Sequence, residues 1–433
     1  MTSKKSDRFL VFQWIQTLPV SNPNRDRTGA PKTTYYGGSM RGRISSQSWS
    51  RQVREAFNEK WEGDAGSRSR LWADRLAQKL QERLQYDRTD SLIVSYLILA
   101  ATGAKADKAE TFKAGQTDVL MFLSNNELQE LIELACHYQP QLDEALAQLR
   151  PNAIKALAEG KVPPLTGESK GKGKNKPKKG TEDSAQEQPD LSDLKKLNER
   201  VVATLKNSRS APDIGLFGRF LASLSDANID GALSRAHMVT THSVAVETDF
   251  WTAMDDFSRS ASSEDDEGTA GSGAGHLGDR PQTSGVYACS CAVDLGQLRA
   301  NLGQDGDVQK VIRTFIMALI TASRGKGYIH QFHHRSIPDI IIAELTEACP
   351  LNCLAAFEKG IGLDRQQGYL ERSIQQLDSW WYGQHSLLEG LVKTNTWAVV
   401  EPSLKEQVSH LEQYLQPNYA AMVESIIKEL GAE

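Results

Sequence analysis

The chain has 433 residues, an apolar fraction of 39% and a formal net charge of −5. This leaves room for two or three domain-sized units with a substantial core, and it excludes a globally basic nucleic-acid binder. Five cysteines without a CxxC pair exclude a disulfide framework, and no stretch approaches the roughly 20 apolar residues that a membrane span needs.

The chain opens on MTSKKSDRFLVFQWIQTL, a short apolar run broken by Gln13 and Gln16 and lacking a secretory core region. A cytoplasmic protein with core thiols is expected. Residues 8–14 read as a buried first strand. Residues 18–43 carry Pro, Gly, Asn and Arg without periodicity and read as a long loop. A helix follows, with Ser45 or Ser46 at its cap and Trp49, Val53, Phe57 and Trp61 on one face.

Apolar residues at three- and four-residue spacing predict helix throughout 67–160, an inserted helical subdomain. Residues 161–190 then turn Lys-, Gly- and Gln-rich and read as a flexible insert. Helix resumes near 191–205. Residues 236–249 are β-rich, 258–284 read as a mobile polar tip, and 285–294 as a strand. A helix at 308–322 and a strand at 339–344 follow, and helices at 364–381, 403–415 and 418–430 close the chain. Strands separated by helices, with long insertions, predict an α+β sheet core with appendages.

Charge is unevenly distributed. Residues 1–60 hold eleven Lys/Arg against four Asp/Glu, and a phosphate surface needs only one basic face. Lys32, Arg41, Arg43, Ser45, Ser46, Gln47, Arg51 and Arg54 gather around a helix N-terminus, where unpaired amides and a positive dipole end favour an anion. The same residues fit an ordinary capped helix with a solvated basic face. Phe250-Trp251-Thr252 precede the polar tip; they fit either a wedge between nucleobases or a small core at a hairpin base. Arg324-Gly325-Lys326-Gly327 fit either a ligand approach or a helix end. His237 and His242, five apart in a β segment, face opposite sides and do not make a metal pair. The Gly-rich run at 271–278 lacks the Lys-Ser/Thr ending of a P-loop. No metal, no cofactor and no catalytic constellation are expected. Asp26 is the one acid placed for a metal-assisted cut.

An ordered series of stretches carries a resemblance. It comprises Asn24-Arg25-Asp26 with Gly29-Ala30-Pro31-Lys32 and Gly37-Gly38, Arg43-Ile44-Ser45-Ser46-Gln47, Asp213-Ile214 with Gly218-Arg219, Asp230-Gly231-Ala232, Ala236-His237 with Thr240-Thr241-His242, Phe250-Trp251-Thr252-Ala253 with Asp255-Asp256, and His276-Leu277-Gly278 with Thr283-Ser284-Gly285-Val286. It resembles the CasC family, the RAMP-type backbone subunit of type I-E CRISPR Cascade.

The resemblance implies an RRM-like (ferredoxin-like) palm, an inserted helical fingers domain and a β-hairpin thumb. The corresponding division is palm at 1–60, 211–235 and 287–433, fingers at 61–210 and thumb at 236–286. It implies a non-catalytic protein whose copies line a CRISPR RNA and present it for pairing with a target DNA strand, beside capping, large, small and crRNA-processing subunits. By the same resemblance, Lys32, Ser45, Gln47 and the following arginines touch the RNA backbone. Phe250, Trp251 and Thr252 sit at a displaced nucleotide, Phe220 touches bases, and Lys195 is a basic residue of the helical domain. Ser50 departs from the family, which commonly has Lys there; Arg51 or Arg54 would substitute. In RNA-cutting relatives the loop holding Asp26 carries the catalytic acid, which makes cleavage of bound target RNA through Asp26 the alternative activity. Asp26 is otherwise expected to pair with nearby arginines.

Overall fold

The computed structural model describes residues 8–165, 194–209, 211–221, 224–254, 274–304, 306–322 and 337–432. In chain order, the elements begin with β1 (Phe9–Ser21), β2 (Thr33–Tyr36), β3 (Ser39–Ile44) and α1 (Ser46–Lys60). They continue with β4 (Gly66–Ser69), α2 (Trp72–Leu84), α3 (Arg88–Ala100), α4 (Ala109–Lys113), β5 (Met121–Ser124), α5 (Asn125–His137), α6 (Gln139–Ala158), α7 (Lys195–Asn207) and α8 (Pro212–Phe217). The last part holds β6 (Leu233–Arg235), β7 (Met238–Thr240), β8 (Glu247–Met254), β9 (Ala274–Asp294), α9 (Leu295–Leu302), α10 (Val308–Thr321), β10 (Ile340–Thr346), α11 (Leu370–Leu388), β11 (Thr394–Val400) and α12 (Tyr419–Gly431).

The chain divides into two compact units. The first comprises 1–60, 232–300 and 306–433; the second comprises 61–231 and 301–305. The first is built on a nine-stranded antiparallel sheet of order β11-β10-β1-β9-β7-β3-β2, with β6 and β8 also pairing with β9. Its centre, β10-β1-β9-β7 with α1 after β1 and α10 before β10, is the βαββαβ arrangement of an RRM-like palm. The alternation of β1 makes it the middle of a sandwich. Phe12 and Trp14 face the helices, with edge-on ring contacts to Phe315 of α10 (6.0 Å) and Trp49 of α1 (5.6 Å). On the opposite parity Ile15 joins Val286, Ile340 and Ile342 against Phe357, Ile374, Leu377 and Trp381. Gln13, buried on that same parity, donates to Glu344, which also accepts from the Trp381 indole (3.1 and 2.7 Å).

The second unit is helical. Leu92 to Leu99 of α3 are all buried, so this helix is apolar on every side and forms the middle of its bundle. Around it, α2, α5, α6 and α7 contribute Leu76, Leu80, Leu131, Leu142, Leu149, Leu197 and Val201.

Several expectations need correction. The stretch 18–43 is not one loop. β1 runs on to Ser21, and β2 and β3 form a hairpin whose turn places Gly37 and Gly38 at φ 55° and 73°, the conformation a two-residue hairpin turn requires. The helical stretch 67–160 is interrupted by the two-stranded β4–β5 sheet. Residues 211–231 cluster with the helical unit, not with the palm.

At the C-terminal end, α11 begins at Leu370 because Asp364 takes the amides of Gln366 and Gln367 into a turn. The segment 403–415 is not an α-helix. The buried Asp378 carboxylate accepts from the amides of Ser409, His410 and Leu411 and holds that stretch as a loop between short 3-10 turns. Strand β11, which the sequence did not suggest, pairs with β10 at the sheet edge. Within the expected tip, residues 274–284 belong to β9; 255–273 lie outside the described residues, as do 166–193, which hold all but the first five residues of the insert expected at 161–190.

Candidate nucleic-acid interface

The first element of the site is the start of α1. Ser45 caps the helix: its Oγ accepts from the Ser48 amide (3.3 Å), and its own amide donates to Asn24 Oδ1 (3.0 Å). The Ser46 amide donates to His237 Nδ1 (2.9 Å), so that nitrogen carries no proton. Gln47 is exposed, and its amide has no acceptor among the described residues. One first-turn N–H, on an exposed residue, is therefore left without an acceptor among the described residues.

The loop before β2 stands against this helix end and encloses a cleft of about 840 Å³, lined by Asn24, Arg25, Asp26, Ser45, Gln47 and Arg51 among others. Asp26 organises the loop. Its Oδ1 accepts from the Thr28 amide and hydroxyl (2.8 and 2.7 Å) and from the Ala30 amide (3.1 Å). The Thr28 hydroxyl, ahead of the backbone amides, holds its pKa below the ordinary value. Asp26 thus pairs with Thr28 and Ala30, not with the arginines as expected.

The basic residues separate into two groups. Lys32 and Arg43 are half-buried beside His237. Burial first, then the charges of Arg43 and Lys32, push the His237 pKa down. Arg51 is exposed and ion-paired to Glu55 (2.8 Å), which lowers its share of free positive charge.

Arg41 is a correction. It is fully buried, and its guanidinium donates to the carbonyls of Thr240 (3.0 Å), Phe357 (3.3 Å) and Glu358 (3.4 Å) and to Ser39 Oγ (2.8 Å). With its donors engaged inside the palm it braces β3 against the segment after β10 and is not placed to meet a phosphate. Arg54 is likewise buried and lies off the open surface. Ser50 is buried too; its hydroxyl accepts from Arg235 Nη1 (3.1 Å), which brings a cation from β6 to this position.

The second element is the β8–β9 hairpin. Residues 283–294 of β9 pair with β1 inside the sheet, and residues 274–282 of the same strand pair with β8, from Glu247↔Gln282 to Met254↔Ala274. One continuous strand thus carries the hairpin out of the palm. Phe250 is 63% exposed and Thr252 is exposed. Trp251 is half-buried. It stands opposite Gly278, where any Cβ would lie 2.8 Å from the indole nitrogen, and the Arg280 guanidinium sits 4.9 Å from its ring centre. Trp251 is held flat on its own hairpin, and Phe250 is the free aromatic.

In the helical unit, Lys195 is exposed at the start of α7 and Phe220 is 75% exposed. Lys326 lies outside the described residues. No His/Cys/Asp/Glu cluster among the described residues could hold a metal ion, and no described helix is long and apolar enough to cross a membrane.

This geometry sits on a chain whose residues 10–423 match the model of the CT1975-like protein family. The chain belongs to that family. No curated protein matches this CT1975-like chain. Solved structures do. A chain of a "CRISPR RNA-guided surveillance complex, pre-nicking" aligns with a TM-score of 0.73 at 24% identity, covering 97% of this chain and 99% of that one. A chain of a second "CRISPR RNA-guided surveillance complex" aligns with a TM-score of 0.65 at 22% identity, with the same coverage. The likeness bears on the fold: palm, helical insertion and hairpin.

Sequence reasoning missed three residues that build the start of α1. Asn24 orients the Ser45 cap, His237 holds the Ser46 amide, and Arg235 reaches Ser50. Asn24 and His237 do fall inside the ordered motifs that carry the resemblance, but nothing in their local spacing reveals a helix cap about 20 or 190 residues away.

Proposed function

We propose that this chain is the guide-RNA-holding backbone subunit of a Cascade-type CRISPR surveillance complex, on the type I-E CasC branch. In this reading copies of the chain line the guide, α1 and its facing loop take the RNA backbone, and the hairpin aromatics part the bases at intervals. A target DNA strand pairs with the bases left between. Specificity then resides in base pairing, so the protein needs contacts to backbone and shape only. Unstacking a step costs a few kcal/mol, which repeated phosphate contacts offset.

The observation that carries this reading is the fold likeness over 97% of the chain to subunits of RNA-guided surveillance complexes. The open Gln47 amide and the exposed Phe250 support it from the residues upward. Purification with its operon neighbours from the cytoplasm tests it: RNA of one uniform length, in a particle with several copies of this chain, is the expected outcome. Particles without such RNA would overturn the reading.

We propose further that the subunit does not cut. Asp26 already accepts three hydrogen bonds from its own loop, which speaks for a structural carboxylate. A cleavage assay with a divalent metal, comparing wild type with Asp26→Asn, is expected to give no product with either; metal-dependent product lost in D26N would restore the cutting alternative.

A further inference from the structure

The segment that presents Phe220 is built in an unusual way. Its two neighbours are pulled into the protein and Phe220 is left outside. Arg219 has a wholly buried guanidinium whose three nitrogens each meet a different acceptor. Nε donates to the Ala227 carbonyl (3.1 Å), Nη2 to the Leu205 carbonyl (2.5 Å), and Nη1 to the buried carboxylate of Glu127. The backbone of Arg219 pairs in both directions with Ile229 (2.9 Å each way). On the other side, the Leu221 amide donates to Asn228 Oδ1 (2.6 Å), and the Leu221 side chain lies in the core with Leu205 and Ala227. Between these anchors the Phe220 ring is 75% exposed.

Glu127 is itself fixed. Its other oxygen accepts from the Ser124 amide (2.8 Å), closing the capping box that starts α5. A buried ion pair is a weak source of stability compared with well-packed apolar residues. What it supplies here is direction, because a planar guanidinium with three fixed acceptors admits one orientation, which a lysine cannot copy.

We propose that Arg219 and Glu127, with Asn228, form a buried mount that fixes the direction of Phe220, the residue that the resemblance places at nucleobases. This deepens the guide-RNA reading and rests on it. With the backbone pinned on both sides, only the torsions of the ring itself remain to be ordered, so stacking a base on it carries a low ordering cost. Arg219 is a positioning residue; Phe220 makes the contact.

The test uses the full chain and single-stranded RNA containing 2-aminopurine, whose fluorescence falls on stacking, at low ionic strength. Phe220→Ala is expected to bind about tenfold more weakly and to lose the quenching, with unchanged thermal unfolding, and Phe220→Trp to restore both. Arg219→Lys is expected to lose the quenching although Phe220 is present, and to cost less than twofold further affinity when added to Phe220→Ala. Should Arg219→Lys not fold, Asn228→Ala, which releases the Leu221 amide, is read in the same way. Additive losses, or Arg219→Lys and Asn228→Ala with wild-type quenching, would overturn the mount. Wild type that binds RNA while Phe220→Ala binds equally well overturns the mount alone; this includes the case of a platform made for a protein side chain. Wild type that binds no RNA sinks the guide-RNA reading and the mount together.

Discussion

Arginine 41 and glutamine 47 sit six positions apart, one wholly inside the palm and the other on its surface, and they predict opposite behaviour. Replacing Arg41 by Met strips donors from three carbonyls. About 3 kcal/mol of stability should be lost in urea titration, with RNA affinity per folded molecule nearly unchanged. Replacing Gln47 by Pro removes an amide with no acceptor among the described residues, in a first helical turn where proline is tolerated, so stability should hold and RNA affinity should fall several-fold.

His237 and His242 make a pH prediction with a definite sign. His242 is buried, stacked on Tyr369 at 3.7 Å, and accepts from the Val286 amide while facing the Ser243 carbonyl. Burial above all lowers the pKa of both histidines. The unfolded chain therefore takes up protons first. The stability from the neutral rings is complete above the ordinary histidine pKa of about 6.5 and is lost as pH falls through the lower folded values. Protonated His237 can no longer accept from Ser46, and it adds charge beside Lys32 and Arg43. Between pH 7.5 and 5 the unfolding midpoint should drop while RNA affinity at fixed salt rises; His237→Gln should remove the rise in affinity and keep most of the drop contributed by His242.

At the scale of elements, the hairpin and the sheet share β9 but differ in what holds them. The sheet half of β9 is buried between β1 and β7, whereas the hairpin half, among the described residues, pairs with β8 alone, and its residues 278–282 are half-buried or exposed. Shortening β8 and β9 to a tight turn after Glu247 and before Gln282 should leave thermal unfolding of the palm within a few degrees. The same change should abolish ordered particles in electron micrographs of the co-expressed complex. Phe250→Ala should weaken target engagement more than Trp251→Ala, because Trp251 is already occupied by Gly278 and Arg280 on its own hairpin.

For the whole molecule the net charge of −5 opposes RNA, so binding depends on local cations. Lys32, Arg25, Arg27 and Arg43 lie on or beside the loop and helix end that form the cleft, with Arg51 partly neutralised by Glu55. Affinity should therefore fall steeply and log-linearly with salt, and the slope should lessen by about one for each of Lys32→Ala and Arg43→Ala. Arg41→Met should leave the slope unchanged.

What the sequence determined by itself was the periodicity and its consequences. The apolar strand at 8–14, the helix face of Trp49, Val53 and Phe57, the long helical insertion and the strands at 285–294 and 339–344 were legible because burial imposes a repeat of 2 or 3.6 residues on the chain. The ordered motifs of 24–47 and 213–286 carried the resemblance. Only the tertiary structure decided where each polar group spends its hydrogen bonds. Arg41 and Arg43 are two apart on one strand, yet carbonyls from residues 240, 357 and 358 draw Arg41 inside. The stretch 403–415 has helical spacing, yet the carboxylate of Asp378 takes its amides. The polar strand 274–284 shows no apolar alternation because backbone pairing with β8, and not burial of one face in a core, extends it beyond the palm. Partners remote in the chain leave no trace in local spacing, so a residue's side chain type announces the chemistry available and the fold assigns it to the core or to the surface.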